Sequence, residues 1–369
     1  MARRLLQVCF TLLLCAASAA SAQPSRLVRL TVHGVGLERN LNGDTADRRV
    51  SIYLPPSYAS SRTRHYPVLV LLHGFNDTDE EWTVPAAGKP LTGIQQIMDE
   101  GIRAHRFGEM IVVMPDERTR LIGAWYMNSA ASGDWDGFIA RELVSLVDRS
   151  YRTLPSPANR AIAGHSMGGY GALRLAMLHP DVFGTTYGIS PALVNWSHEI
   201  LPDNPAWKDV FALRSTPPME LDQVYQWGFV SMSAAFASDP GRKPFYADFP
   251  FKMVAGSLSP SEPAFSRWES AFLVNMAKDH VGGLSQLKGI AFDAGSEDEF
   301  RFIPEGCRAF SNRLTALGIA HRYDEYNGDH RNRLWGRDGR LLNIVLPWIW
   351  DHFEAATADA PKTAHRKAS

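Results

Sequence analysis

Residues 160–180 read RAIAGHSMGGYGALRLAMLHP. A short apolar strand, Ala161 to Ala163, runs into Gly164-His165-Ser166-Met167-Gly168, and a helical pattern follows from Gly168 to His179, closed by Pro180. The G-x-S-x-G spacing alone recurs by chance; its place between a strand and a helix makes it informative. A serine at so tight a turn sits in a strained backbone conformation. Glycines two before and two after it remove side chains that would clash where strand and helix cross. The turn pushes the Ser166 hydroxyl outward and leaves a helix N-terminus beneath it, so Ser166 reads as a nucleophile.

Outward from this turn, strand and helix alternate. Val50 to Leu54 alternates and is β-rich, and Pro55 and Pro56 stop it. Val68 to Leu72 and Met110 to Met114 are continuous apolar runs, as expected of strands buried on both faces. Helical spacing appears over Thr92 to His105 and over Asp134 to Tyr151, the latter with Asp134 or Asp136 as its cap. The alternation predicts an α/β fold with a mostly parallel central sheet flanked by helices and right-handed crossovers. After Ile189 the pattern loosens, and residues 195–286 read as a lid-like helical and loop insertion. Regularity returns with a strand at Gly289 to Phe292, a helix near Pro304 to Leu317, a strand around His321 to Tyr326 and a last helix over Leu341 to Phe353. Of 369 residues, 45% are hydrophobic and 21% charged, and the net charge is −1. That is too apolar for disorder and lacks the basic footprint of a nucleic-acid binder.

A serine nucleophile needs donors for the oxyanion, a base and an acid. The N–H of Met167, the residue after the nucleophile, is one expected donor. Leu71-Leu72-His73-Gly74-Phe75 is a buried strand ending in His-Gly, and the Phe75 N–H is the expected second. His73 beside the strand end is read as structural, with a substrate-binding role as its alternative. In the Ser, acid, His order of α/β-hydrolases the acid follows a late strand. Asp293, Glu297, Asp298 and Glu299 compete there, and Asp298 is favoured because it lies past the turn, where a carboxylate can reach back over the sheet. For the base, His321 lies at its strand and His352 in the last helix; His330 sits in the loop after the strand and is the best placed.

The segments VSIYLPPSY (50–58), YPVLVLLHGFNDTDEEW (66–82), WYMNS (125–129), GHSMGGYGAL (164–173), FDAGSEDEF (292–300) and YNGDH (326–330) carry a resemblance. From about residue 47 to 353 the chain resembles the esterase D-like branch of the α/β-hydrolases. That branch includes S-formylglutathione hydrolases, feruloyl and acetylxylan esterases, enterochelin esterases and mycolyltransferases. The resemblance implies an α/β-hydrolase fold, Ser166, Asp298 and His330 as the triad, and the Phe75 and Met167 N–H groups as the oxyanion hole. It implies a serine carboxylic-ester hydrolase that forms an acyl-enzyme. The alternatives are transfer of the acyl group to a sugar hydroxyl, as in mycolyltransferases, a peptidase, and a non-catalytic binding protein on the same fold.

Trp82, Trp125, Tyr126 and Trp196 are the candidates for lining the acyl or alcohol pocket, with core packing as the other reading of each. The acidic stretch Asp77, Asp79, Glu80 and Glu81 reads as a solvated loop rather than a calcium site, and the chemistry needs neither metal nor cofactor. The expected partner is a small-molecule or carbohydrate-linked ester, with no nucleic acid and no stable membrane insertion. Residues 1–22 read as a signal peptide: Arg3 and Arg4, an apolar stretch to Ala20, then Ala20-Ser21-Ala22 as the cleavage pattern. The hydrolase domain is expected over 23–356, in a secreted or periplasmic protein, and 357–369 as a disordered tail. Cys9 and Cys15 would leave with the leader, so that only Cys307 remains and no intrachain disulfide forms.

Overall fold

In the computed structural model, residues 24–213 and 223–354 are described; the leader, the polar tail and part of the insertion lie outside them. The apolar runs become the strands of one eight-stranded sheet: β1 (Arg26–His33), β2 (Asp47–Leu54), β3 (Val68–Leu72), β4 (Ile111–Pro115), β5 (Arg160–His165), β6 (Thr185–Ile189), β9 (Gly289–Gly295) and β10 (Arg322–Tyr326). The separate hairpin β7 (Phe251–Val254) and β8 (Ser257–Pro260) lies within the insertion. The order in the large sheet is β1-β2-β4-β3-β5-β6-β9-β10. β4, β3, β5, β6, β9 and β10 are parallel, and β2 runs antiparallel to both of its neighbours. Every residue of β3, β4, β5 and β6 is buried, because helices cover both faces of these strands.

On one face α1 (Glu80–Thr83) and α2 (Ile94–Arg103) pack with α12 (Leu346–Asp351), which continues a π-helical turn at Leu341–Val345. On the other lie α3 (Trp135–Gly137) and α4 (Val144–Ser150), joined through π-helical Phe138–Leu143, together with α5 (Met167–Leu178) and α11 (Phe302–Ala316). Asp134 caps α3, its side chain accepting the Gly137 N–H at 2.8 Å. The two faces bury separate apolar clusters. Leu69, Leu71, Val112 and Ala163 point to one; Val68, Val70, Val113 and Ile162 point to the other, as the period of two requires.

The insertion is more regular than its sequence pattern. It holds α6 (Ala206–Ala212), α7 (Val224–Phe236), the β7–β8 hairpin, α8 (Ala264–Ala271), α9 (Leu273–Met276) and α10 (Val281–Leu284). Ten of the thirteen residues of α7 are buried, so its sequence shows no polar face and no amphipathic period. The strand β1 also escapes sequence reading. It is an edge strand with mostly exposed or half-buried side chains, held by its ladder to β2.

Candidate active site

Ser166 follows the last residue of β5 and precedes the first of α5, with φ 54° and ψ −118°. This is a costly conformation for a residue with a side chain, of order 1–3 kcal/mol. Its backbone is pinned on both sides: the Ser166 N–H donates to Ile189 O at 2.9 Å, and Ser166 O accepts from Ala192 N at 2.9 Å and Tyr170 N at 3.1 Å. The flanking glycines are steric necessities. A Cβ on Gly164 would lie 2.3 Å from Gly168 O, and one on Gly168 would lie 2.3 Å from Leu72 O. Met167 opens α5, so its N–H has no intrahelical acceptor.

The loop after β9 and the loop after β10 bring Asp298 and His330 together. The His330 Nδ1 lies 2.7 Å from Asp298 Oδ2, and both side chains are buried. Asp298 Oδ1 accepts the Phe300 N–H at 2.9 Å, which fixes the carboxylate's orientation. The His330 N–H donates to Glu299 at 3.2 Å, and the Phe300 ring stands edge-on to the imidazole at 5.1 Å. Burial lowers the His330 pKa below 6.5; the Asp298 bond opposes this, and the charges of His165 and Arg331 reinforce it. The other acids of that stretch do different work. Asp293 accepts from Tyr187 Oη, from Ser190 N and from Arg340 Nε, at the foot of the loop.

An apolar pocket opens beside Ser166. Phe75 and Trp125 wall one side, Phe300 and Ile303 another, and Tyr225, Gly228 and Met232 of α7 form a wall supplied by the insertion. Trp125 therefore lines the pocket as the sequence allowed. Its indole donates to Ser231 Oγ on α7 at 3.0 Å, and Ser231 donates on to Gly123 O at 2.7 Å. Trp125 (φ 58°) and Tyr126 (φ 49°) are both left-handed. The carboxyl group of Glu117 holds this segment, accepting the N–H of Ala124 at 2.7 Å and of Tyr126 at 2.9 Å.

Three pocket candidates are placed elsewhere. Trp82 is fully buried in the cluster under α2 and packs on Trp335 at 5.8 Å, on the opposite face of the sheet from the pocket. Tyr126 is fully buried behind α5, its hydroxyl donating to His73 O at 3.1 Å. Trp196 stacks on Phe265 at 4.6 Å and Trp268 at 5.7 Å inside the insertion, its indole donating to Glu269. Sequence order does not show which side of the sheet an aromatic residue reaches.

His73 has a structural role. Its Nε2 accepts the Glu117 N–H at 2.8 Å and its Nδ1 donates to Gly74 O at 2.9 Å, so it is a neutral tautomer with both nitrogens used. The acidic stretch is not a solvated loop throughout. Asp79 is buried, accepting from Ser51 Oγ at 2.6 Å and pairing with Arg49 at 3.0 Å, and Glu81 is buried under the site. Among the described residues no cluster of His, Cys, Asp and Glu has the form of a metal site. Likewise, no described helix is long and apolar enough to cross a membrane.

Sequence reading missed Glu81, His165 and Glu117. His165 is the variable position of the G-x-S-x-G turn, which the motif leaves without a role, and no local spacing links it to Glu81, 84 residues away.

Over 294 residues the chain is 32% identical to an esterase of Mycobacterium tuberculosis, which covers 76% of the chain and 52% of that protein. Over 137 residues it is 30% identical to an endo-1,4-beta-xylanase/feruloyl esterase of Xylanibacter ruminicola, covering 36% of the chain and 18% of that protein. The matches thus span about half or less of these relatives' lengths. Among solved structures, a ferulic acid esterase superposes with a TM-score of 0.59 at 20% identity, over 90% of this chain and 100% of that one. An S-formylglutathione hydrolase from Agrobacterium tumefaciens superposes with a TM-score of 0.57 at 15% identity, over 90% of this chain and 97% of that one. The fold is thus that of the α/β-hydrolase esterases. A family model described as putative esterase matches residues 44–338, and with most of the chain inside that match, it belongs to this esterase family.

Proposed function

We propose that the protein is a serine carboxylic-ester hydrolase in which Ser166 is the nucleophile, His330 the general base and Asp298 its orienting acid. The observation that carries this reading is the buried 2.7 Å contact between Asp298 and His330 Nδ1, with the His330 carbonyl oxygen 3.1 Å from Nε2 of His165, the residue before a serine held at φ 54°. With Nδ1–H donated to Asp298, Nε2 is the free basic nitrogen of His330. It takes the Ser166 proton as Oγ attacks the ester carbonyl. The oxyanion is received by the N–H groups of Phe75 and Met167, and collapse expels the alcohol, which leaves with the proton from His330. Water, activated by the same imidazole, then cleaves the acyl-enzyme and frees the acid.

The pocket walls of Trp125, Phe75 and Met232 favour an apolar or aromatic acyl group over a charged one. The feruloyl and ferulic acid esterases among the similar proteins support aromatic acyl esters, including carbohydrate-linked ones, as the first class to test. Export belongs to the same proposal and rests on the Arg3-Arg4 start and Ala20-Ser21-Ala22. N-terminal sequencing of the protein from its host tests it, with Gln23 as the expected first residue. The catalytic reading is tested by Ser166→Ala, which should cost on the order of 10⁶ in turnover of short aryl esters while the fold survives. Retention of more than about one per cent of turnover would remove Ser166 from the mechanism, since a triad nucleophile contributes far more.

A further inference from the structure

His165 precedes Ser166, ends β5 and has no exposed surface. Its Nδ1 lies 3.0 Å from Glu81 Oε1 and its Nε2 lies 3.1 Å from the carbonyl oxygen of His330. A carboxylate and a carbonyl oxygen can only accept, so both ring nitrogens must donate, and an imidazole with two N–H groups is a cation. The second carboxylate oxygen of Glu81 accepts the Gly74 N–H at 2.7 Å, one residue before Phe75. His73 is the contrast. It also directly follows a strand, beside a glycine, yet its Nε2 accepts a backbone N–H, so it is neutral.

We propose that Glu81 and His165 form a buried carboxylate–imidazolium pair that positions two loops around Ser166, those of His330 and Phe75, and sets a fixed positive charge beneath the His330 ring. The proposal rests on the reading of His330 as the base. Neither residue touches the reacting atoms; both are positioning residues. The pair is closed: each charged oxygen and nitrogen has a partner, which a buried ion pair requires to be tolerated. Burial alone would push the Glu81 carboxyl up, but the His165 bond and charge, Arg331 and the Gly74 N–H outweigh it and hold it at about 2.

The ring centroids of His165 and His330 are 4.7 Å apart. Four ionisable groups face His330. Asp298 accepts from Nδ1, Glu299 accepts its backbone N–H, Arg331 adjoins it, and His165 lies against the ring. Asp298 favours the charged ring, and the two cations oppose it. Asp77, on the loop after Phe75, is the remaining acid near Glu81 and pairs with Arg331 at 3.7 Å. Without the cation at His165, the balance moves toward a protonated, inactive His330.

The test uses Glu81→Gln and His165→Gln with a short aryl ester, and nitrogen NMR of the wild-type imidazoles. In Glu81→Gln the second proton of His165 loses its counter-charge. The acid limb of kcat/KM should then rise, by less than in His165→Gln, because the Glu81 anion is lost together with the His165 cation and the nearer cation dominates. His165→Gln keeps a donor for the His330 carbonyl but no charge and leaves Glu81 ionised, so it should raise the limb by about one pH unit or more, with a loss in kcat, since unit charges at this spacing couple that strongly at effective dielectrics between protein and water. Wild-type His165 should show two protonated nitrogens at pH 7. A neutral His165 tautomer at pH 7, or folded variants with the wild-type limb and kcat, would overturn the proposal. Should the variants not fold, the wild-type spectrum decides. Ser166→Ala run alongside separates the two readings: turnover surviving there sinks the serine mechanism, whatever His165 does.

Discussion

Glu117 carries a measurable consequence for stability. Its side chain is fully buried; one oxygen accepts two backbone N–H groups, and among the described residues the other has no hydrogen-bond partner. Burial raises its pKa from 4.5 to about 8, against the opposing pull of the two N–H groups and Arg48. The folded protein therefore holds a proton on Glu117 through a range in which the unfolded chain has released it. Between pH 4.5 and 8 the folded state binds one proton more, so stability falls as pH rises, by up to about 1.4 kcal/mol per unit. Glu117→Gln keeps an oxygen for the Ala124 and Tyr126 N–H groups and cannot ionise. It leaves an amide where the partnerless oxygen was, a cost of about 1–3 kcal/mol that does not vary with pH. Urea unfolding of both proteins at pH 5, 6, 7 and 8 isolates the linkage, because all other titrating groups cancel in the difference. The variant should gain on the wild type by about 3–4 kcal/mol from pH 5 to pH 8. A difference that stays constant to within about 0.5 kcal/mol would refute a protonated Glu117, since extrapolation error is of that order.

Three further outcomes are expected. Asp298→Asn should cost on the order of 10⁴ in kcat, because an amide facing His330 Nδ1 favours the wrong tautomer while the Phe300 N–H keeps its acceptor; rescue by formate with the Asn variant's fold intact would support the role. The acid limb of kcat/KM should lie below pH 6.5, because burial lowers the His330 pKa and the base is the neutral form; a limb above 6.5 would contradict the direction. Gly228→Leu should cut kcat/KM for bulky acyl esters and spare acetyl esters. An added Cβ there meets only Met232 at 3.8 Å within the pocket wall, and Gly228→Ala should stabilise α7 by about 1 kcal/mol; an unchanged acyl-length profile would show that this wall does not face the acyl group.

What the sequence discloses follows how local the cause is. The turn at Ser166 is decided by residues within two positions of it, so its backbone geometry is legible from five letters. The central strands are legible because burial on both faces leaves a run such as Val68–Leu72 with no polar residue. The insertion fails the same test for the same reason. Ten of the thirteen residues of α7 are buried, with α6 and α8 packed against it, and a helix without a wet face has no period to read. The pocket aromatics fail differently. Trp82 and Trp125 are equally apolar and equally buried, and only the course of the chain after β3 and β4 sends one under α2 and the other to Ser166.

The polar network below the site shows the limit most clearly. Asp298 can be singled out among four acids because it must reach over a strand end, which is a constraint of connectivity. Glu81 cannot, because nothing in its surroundings in the chain distinguishes it from Glu80, its exposed neighbour. The difference arises from one turn of α1, which rotates one carboxylate toward solvent and Arg49, and the other inward toward His165 and the Gly74 N–H. A buried carboxylate must find donors, and the donors available there are the backbone before Phe75 and the imidazole before Ser166. The burial of Glu81 therefore ties the loop before Phe75 to the turn at Ser166. Glu81→Asp, one methylene shorter, should fail to span both partners and, in steady-state kinetics, lower kcat more than it raises KM.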